Sequence, residues 1–191
     1  MESNLELLKK SLLHNNPNLF IGAGFSLGAN NNTIPNGRDL SKKILSELLN
    51  YSPTSEEFKQ LKEYSLPKIC SYTTTKVGKD KLYQYLQSVF QNINPAPFHF
   101  SFSQYPWSKI FSTNIDDVVE NVYTKSNQDL IIQNSRYCST KINKNSPELF
   151  KLHGCVNNID EGIIFDEEEY INSLLDIQDY SCLLYTSDAA D

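Results

Sequence analysis

The first residues whose types and spacing could do chemistry lie where the apolar run of residues 19–21 meets a pair of glycines. Gly22 and Gly24 lack a Cβ, so the backbone N–H groups around them can come close to a phosphate group. Ser26 adds a hydroxyl that can donate a hydrogen bond. The spacing Gly-x-Gly-x-x-x-Gly, completed by Gly28, is one residue longer than the usual phosphate-binding pattern. The loop therefore predicts either a phosphate site or a plain tight turn.

Arg38 follows this loop in the segment IPNGRDL. Its planar guanidinium is suited to holding a phosphate through two parallel hydrogen bonds. The alternative is a solvent-facing helix residue, because the apolar spacing from Leu40 onward already predicts a helix here.

A second candidate site is the segment STNIDD, residues 112–117, at the predicted junction of a strand and a helix. Ligands of open α/β sheets collect at the carboxyl ends of strands. The amide of Asn114 can both donate and accept hydrogen bonds, and the carboxylate of Asp116 could recognise a carboxamide or a ribose hydroxyl. The alternative is that Asn114 or Asp116 only caps the helix that comes next.

A third candidate is His153 in the segment KLHG, residues 151–154, again at a predicted strand end and directly before a glycine. The ordinary pKa of histidine suits proton transfer near neutral pH. A single histidine at a strand end is more often structural, so the alternative stays open. We interpret the other two histidines, His14 and His99, as structural.

Helices alternate with short apolar strands along the chain, and this alternation positions the three candidate segments. The order indicates an α/β fold with a Rossmann-like, mostly parallel sheet. The helical stretch of about residues 52–92 is too long for a single crossover, so we interpret it as a helical insertion. Predicted strands are residues 18–22, 110–111, 129–133, 148–154 and 162–165, and predicted helices are residues 3–14, 38–50, 52–64, 78–92, 118–123 and 166–175.

Composition excludes several classes of function. The 191 residues suffice for one domain, and 17 Lys and Arg against 23 Asp and Glu give a net charge of −6. Without a basic block we expect no nucleic-acid partner, and without a long apolar run we expect no membrane partner. The four cysteines form no Cys-x-x-Cys pair, so we expect no zinc or other metal site and a reducing, cytoplasmic location.

The last ten residues, CLLYTSDAAD, do not continue the pattern of the domain. They resemble a sequencing adapter translated in frame. We therefore interpret residues 1–181 as one C-terminally truncated domain and residues 182–191 as a non-native tail. The alternative is a natural frayed terminus.

The three segments together resemble the sirtuin family, because a strand–GAGxS loop, a strand–TNxD loop and a strand–HG loop occur in that order. The resemblance covers roughly residues 18–42 and 95–172 and includes the stretches IGAGFS, IPNGRDL, PWSKIFSTNIDDVVENVY, LFKLHGC and IIFDEEEY. It is nearest to the bacterial sirtuin-like branch that cleaves NAD in anti-phage defence.

The resemblance implies a role for each matching residue. Asn114 and His153 would be catalytic, and Asp116 would read the carboxamide of nicotinamide. The residues expected to contact the pyrophosphate and the nicotinamide ribose are Gly22, Ala23, Gly24, Ser26 and Arg38.

Two departures from the family pattern bear on activity. Deacylase sirtuins carry a zinc module of two Cys-x-x-Cys pairs after the His-Gly motif, whereas here Cys155 follows alone. They also carry Asp-Phe-Arg after the Ile-Pro pair, whereas this chain has Asn36-Gly37-Arg38. Both departures favour an NAD glycohydrolase, with NAD as substrate, over a protein deacylase or ADP-ribosyl transferase. Two further alternatives remain. The chain could be a non-catalytic nucleotide-sensing module, or it could be a plain α/β domain in which the motifs occur by coincidence.

The resemblance also implies partners that the truncated chain would lack. Members of this branch often carry a C-terminal sensor or assembly domain, and we expect the full-length protein to have one and to form a homo-oligomer. Later strands of the family fold contact the adenosine half of NAD. We therefore expect the fragment alone to bind NAD poorly and to be inactive.

Overall fold

The computed structural model describes residues 6, 7, 9, 10, 17–133 and 146–173. Four parallel strands form one sheet in the order β1-β2-β4-β3. They are β1 (Leu19–Ile21), β2 (Lys109–Ser112), β3 (Ile131–Gln133) and β4 (Glu148–Lys151). This sheet confirms the predicted α/β, Rossmann-like, mostly parallel fold. The last residues of β1, β2 and β4 pair with one another in register, Ile21 with Ser112 and Ser112 with Lys151, so the three candidate segments leave the sheet side by side.

Helices and two 3₁₀ turns surround the sheet in the part of the chain that the structure describes. The helices are α1 (Gly37–Lys43, which continues as a π-helical turn, Ile44–Leu48), α2 (Glu56–Leu61), α3 (Leu66–Val77), α4 (Lys79–Phe90), α5 (His99–Phe102) and α6 (Val118–Lys125). The 3₁₀ turns are Ala29–Asn32 and Val156–Glu161. Residues 6, 7, 9, 10 and 167–173 are helical as well. In the part of the chain described, no helix has both the length and the apolar character that crossing a membrane requires.

Local signals explain where several helices begin. The side chain of Asn36 accepts a hydrogen bond from Asp39 N at 3.0 Å and caps α1. Ser55 accepts from Phe58 N at 3.1 Å and caps α2 in the same way. Gly78, with φ +92°, separates α3 from α4 because few other residues adopt that backbone conformation.

Buried apolar residues form separate clusters that join the helices to the sheet and to the loops after its strands. On one face of the sheet, Ile110 and Leu149 pack against Val119 and Tyr123 of α6. The second and larger core joins α1, α2, α3 and α4 to apolar residues just beyond the strand ends, among them Ile115. The helices of residues 52–92 thus share a core with the strand ends.

Two predicted strands differ from the structure. The predicted strand at residues 162–165 is an extended segment outside the sheet, because Gly162 has φ +90° and Ile164 N donates to His153 O at 2.9 Å. The segment therefore wraps around the end of β4 rather than pairing along it. The predicted strand of residues 148–154 ends at Lys151, where a turn begins. Helix α3 was not resolved by the prediction as a separate helix within residues 52–92.

Two sequence interpretations lie largely or wholly outside the described residues. The predicted N-terminal helix at residues 3–14 is described at four positions, all of them helical. The proposed tail at residues 182–191 is not among the described residues. The predicted domain limits accordingly stay predictions.

Candidate functional site

A single cleft brings together five of the eight predicted site residues. It lies at the carboxyl ends of β1, β2 and β4 and has a volume of about 210 Å³. Predicted residues that line it are Ala23, Ser26, Asn114, Asp116 and His153. Gly22, Gly24 and Arg38 are not among its lining residues. The strand register explains the convergence, because neighbouring parallel strands deliver their following loops to the same edge.

The two glycines of the first turn do different things. Phe25 N donates to Gly22 O at 2.8 Å and closes the turn. A Cβ on Gly22 would lie 3.4 Å from Thr113 Oγ1, so this position packs against the loop after β2. A Cβ on Gly24 would meet nothing within 4 Å, and Gly24 is exposed. Gly24 is therefore the glycine that leaves backbone open for a ligand to approach.

The side chain of Asn114 is held in one orientation by the first turn. Its Nδ2 donates to Gly22 O at 2.9 Å and to Ser26 Oγ at 2.8 Å. Ser26 Oγ in turn donates its proton to Asp116 Oδ2 at 2.6 Å, so it can only accept from Asn114. Both amide protons of Asn114 are thus used by protein oxygens. Oδ1 is the atom of Asn114 that can accept a hydrogen bond from a ligand or a water molecule.

Asp116 has a structural role beside any contact with a ligand. Its Oδ1 accepts from Val118 N at 3.1 Å, which supports the capping interpretation for this residue. The N-cap position itself belongs to Asp117, whose carboxylate instead accepts from Asn92 N at 2.7 Å and Ile93 N at 2.9 Å. Asn114 makes no side-chain bond to the backbone N–H groups of α6, so capping does not explain it.

His153 is half-buried and lines the cleft two residues beyond the end of β4. Its ring meets the ring of Tyr170 edge to face, with centroids 5.3 Å apart. Burial lowers the pKa of His153 below its ordinary value, and a hydrogen bond with the backbone of Thr113 acts in the opposite direction. The imidazole is therefore neutral at neutral pH and able to take up a proton.

The glycine after His153 is required by the backbone. Gly154 has φ +79°, and a Cβ there would lie 2.4 Å from Gly162 O and 3.1 Å from Ile163 Cα. Any side chain would push the segment 162–163 away from the turn. Since Ile164 N donates to His153 O, that segment also holds the histidine backbone in place. The His-Gly pair is a structural unit at the edge of the cleft.

Apolar side chains form the rest of the cleft wall. Helices of the predicted insertion supply two of them, Leu66 from α3 and Phe90 from α4. The remaining apolar or aromatic wall residues are Ile34, Pro35, Leu40, Ile115, Phe165 and Tyr170. The cleft thus has a polar side that carries Asn114, Asp116 and His153 and an apolar side, as small-molecule sites commonly have.

The helix of residues 167–173 carries Tyr170 onto the cleft and is anchored at its start. Asp166 Oδ1 accepts from Glu169 N at 2.8 Å while Glu169 Oε2 accepts from Asp166 N at 3.0 Å, which is the capping box that the sequence predicts. Glu169 also pairs with Lys79 Nζ at 2.7 Å and accepts from the hydroxyl of Tyr83. These bonds tie the helix to α4.

Sequence reasoning missed two charged residues, Lys151 and Glu120. Lys151 belongs to the KLHG segment, and a lysine that ends a buried strand is a signal of a buried partner. Both residues are buried and paired with each other.

The structural interpretation of His99 agrees with its surroundings. It is fully buried, its Nδ1 accepts from Ala96 N at 2.9 Å and its Nε2 donates to Phe25 O at 2.6 Å. Both ring nitrogens are used, and the second bond fixes the turn that carries Ser26. The role of Arg38 stays a prediction: its side chain is exposed in the first turn of α1, next to the cleft residue Gly37.

Metal ligands do not cluster within residues 17–133 and 146–173, where no group of three or more His, Cys, Asp or Glu side chains could hold an ion. Cys70 and Cys155 are buried free thiols, and burial raises the pKa of the Cys155 thiol to about 11.

Residues 108–187 match the model of the SIR2-like domain family. No curated protein matches the chain significantly. The matched range contains β2, β4 and the loops that carry Asn114 and His153, and it supports a sirtuin-like domain. Such a domain implies the use of NAD. The glycine turn lies outside the matched range. The match extends to residue 187 and so includes the first residues of the predicted non-native tail, and that tail stays a prediction.

Proposed function

We propose that the protein is an NAD glycohydrolase, which cleaves the bond between nicotinamide and ribose and transfers the ribosyl carbon to water. One observation carries the proposal: Asn114 and His153 line one cleft at the carboxyl edge of the sheet, inside the range that matches the SIR2-like domain. The cleft volume of about 210 Å³ is below the roughly 300–1,000 Å³ of sites that bury a whole small ligand. It suits the nicotinamide ribose end of NAD.

The reaction needs little acid catalysis. Nicotinamide leaves as a neutral molecule that takes the electron pair of the broken C–N bond, and positive charge develops on the ribose. A water molecule then forms a bond to the ribosyl carbon and loses a proton. Asn114 Oδ1, fixed by the two bonds from Nδ2, can orient that water by accepting a hydrogen bond from it.

His153 can take up the proton that the water loses. Its imidazole is neutral at the start of the reaction because burial lowers its pKa. A positioned general base contributes roughly a hundred- to ten-thousand-fold in rate. The products are nicotinamide and ADP-ribose, and the proton leaves His153 to solvent afterwards.

The setting of this reaction is part of the proposal. We infer a cytoplasmic enzyme of anti-phage defence whose full-length form carries a further C-terminal domain and assembles as a homo-oligomer. The sirtuin-like motifs and the absence of paired cysteines after His153 in the sequence support this branch of the family. The full-length protein is the product of the source gene, which in this proposal continues beyond residue 181.

The proposal is tested by incubating the full-length protein with NAD and separating the products by chromatography. We expect nicotinamide and ADP-ribose in equal amounts. Cyclic ADP-ribose as the main product would show that a group within the substrate, rather than water, accepts the ribosyl carbon. If NAD is not consumed with an acylated peptide or with any trigger tested, the proposed activity is rejected. Nicotinamide release that strictly requires an acylated peptide would indicate a deacylase instead.

A further inference from the structure

Lys151 is a buried cation that is bonded to the backbone of the cleft residue Asp116. It is the last residue of β4, and its side chain is 1% exposed. Its Nζ donates a hydrogen bond to the backbone oxygen of Asp116 and lies 3.3 Å from Glu120 Oε1. Burying an ammonium group is costly unless it is paired, so this arrangement is a specific one.

The surroundings keep Lys151 charged. Burial alone would lower its pKa, but the negative charge of Glu120, with a smaller contribution from Asp116, outweighs burial and raises it. Glu120 Oε1 also lies 3.5 Å from Cys155 Sγ, which can donate weakly, whereas Glu120 Oε2 has no partner among the described residues. The negative charge of the buried Glu120 carboxylate is therefore balanced by Lys151.

The bond to Asp116 joins the two segments that carry the chemistry. Asp116 O belongs to the loop after β2, which presents Asn114, and Lys151 lies two residues before His153. The distance between Asn114 and His153 is therefore set by this hydrogen bond together with two backbone bonds between the same segments, from Leu152 N to Ser112 O at 2.8 Å and from Val156 N to Ile115 O at 2.9 Å. Misplacement of reacting groups by about 1 Å can lower a rate on the order of a hundredfold.

We propose that Lys151 is a positioning residue, whose bond to Asp116 O holds the loop of Asn114 at the correct distance from His153. The inference rests on the proposed function, since it concerns the rate of the same reaction. It predicts that loss of this bond lowers kcat more than it changes KM, because the transition state is more sensitive to the spacing than ground-state binding is.

A purely structural ion pair is the competing explanation, and a double variant separates the two. Removing Lys151 alone leaves Glu120 buried and unpaired, which is strongly destabilising. Replacing both residues by methionine removes both charges, and such replacements are often neutral or stabilising. If Lys151 served stability alone, Lys151→Met/Glu120→Met would recover activity together with the fold.

The experiment compares steady-state NAD cleavage and thermal unfolding of four full-length proteins: wild type, Glu120→Gln, Lys151→Met and Lys151→Met/Glu120→Met. Glu120→Gln keeps the donor to Asp116 O, so we expect kcat within about threefold of wild type despite a lower Tm. The double variant should unfold near the wild-type Tm, with kcat about 10- to 100-fold lower and a similar KM.

A folded double variant with wild-type kcat would overturn the inference, and so would a loss of kcat in Glu120→Gln as large as in Lys151→Met. Failure of the wild type to cleave NAD would instead reject the proposed function. The two failures are thus distinguishable.

Discussion

At the scale of single residues, the proposed chemistry depends on which atom of Asn114 faces the cleft. Ser26 answers this, because its hydroxyl donates to Asp116 and must accept from the amide. The sequence predicted that Ser26, Asn114 and Asp116 belong to the site, because each of them follows a predicted strand. It could not predict the chain of hydrogen bonds between them, since residues so far apart in the sequence meet only in the folded protein.

The pH dependence of cleavage tests the state of His153. Because burial lowers its pKa, the base stays neutral below the ordinary pKa of about 6.5 and is lost only when pH falls through the lowered value. We expect kcat to be flat near neutrality and to fall on the acidic side with a midpoint below about 6.5. Tyr170, which contacts the ring, has a pKa raised by burial and by Cys70 and does not titrate there.

The matched variant is His153→Gln, measured over the same pH range. Its residual rate should lack the acidic limb, because the group that titrates is gone. An acidic limb that persists unchanged in this variant would assign it to another residue.

Gly154 and Gly24 have different surroundings and should respond differently to an added methyl group. Gly154→Ala meets Gly162 O and has a left-handed backbone, which alone costs about 1–2 kcal/mol, so Tm should fall clearly. Gly24→Ala meets nothing, so Tm should stay the same.

If Gly24 faces a phosphate, the methyl group should raise KM for NAD by about tenfold, equivalent to about 1.4 kcal/mol. Steady-state kinetics and thermal unfolding of both full-length variants measure this, and an unchanged KM in Gly24→Ala would remove the turn from the binding site.

At the scale of elements, the position of the helix of residues 167–173 sets the part of the cleft wall that Tyr170 forms. The sequence predicted this helix and its capping box, because Asp166 and Glu169 have the required spacing. It did not predict the pairing of Glu169 with Lys79 and Tyr83, because those residues belong to a different helix. The predicted strand at residues 162–165 was wrong for a related reason: its apolar residues are buried by packing around the end of β4 rather than by the sheet.

The anchoring of this helix predicts a pH-dependent contribution to stability. Burial alone would raise the pKa of Glu169, but hydrogen bonds from Lys79, Tyr83 and the backbone outweigh burial and lower it. Its contribution is therefore present above the ordinary pKa of about 4.3 and is lost as pH falls through the lowered pKa.

The test compares unfolding free energies from urea titrations of wild type and Glu169→Gln at pH 7 and at pH 3. We expect the variant to be less stable by about 1–3 kcal/mol at pH 7, and the difference to shrink at pH 3. Glu168→Gln is the control, since Glu168 is exposed on the same helix and the charge change is identical. An equal effect of the two substitutions would show that net charge, rather than the anchor, is responsible.

At the scale of the whole molecule, strand register creates the site. The sequence indicated a parallel sheet, and in such a sheet the three loops leave at one edge. It could not give the strand order, in which β4 lies between β2 and β3 and thereby brings His153 next to the loop of Asn114. Nor could it show that the helices of residues 52–92 share a core with the strand ends and complete the cleft through Leu66 and Phe90.

The central claim is that Asn114 and His153 act on one NAD molecule in one cleft, and a double-mutant cycle tests it most directly. We would measure kcat/KM for NAD cleavage by full-length wild type, Asn114→Ala, His153→Ala and the double variant, with Tm as the control for folding. Each single substitution should lower kcat/KM by about a hundred- to ten-thousand-fold, and the double variant should lose far less than the product of the two losses, because both residues act on the same water. Folded single variants that cleave NAD at the wild-type rate would contradict the account.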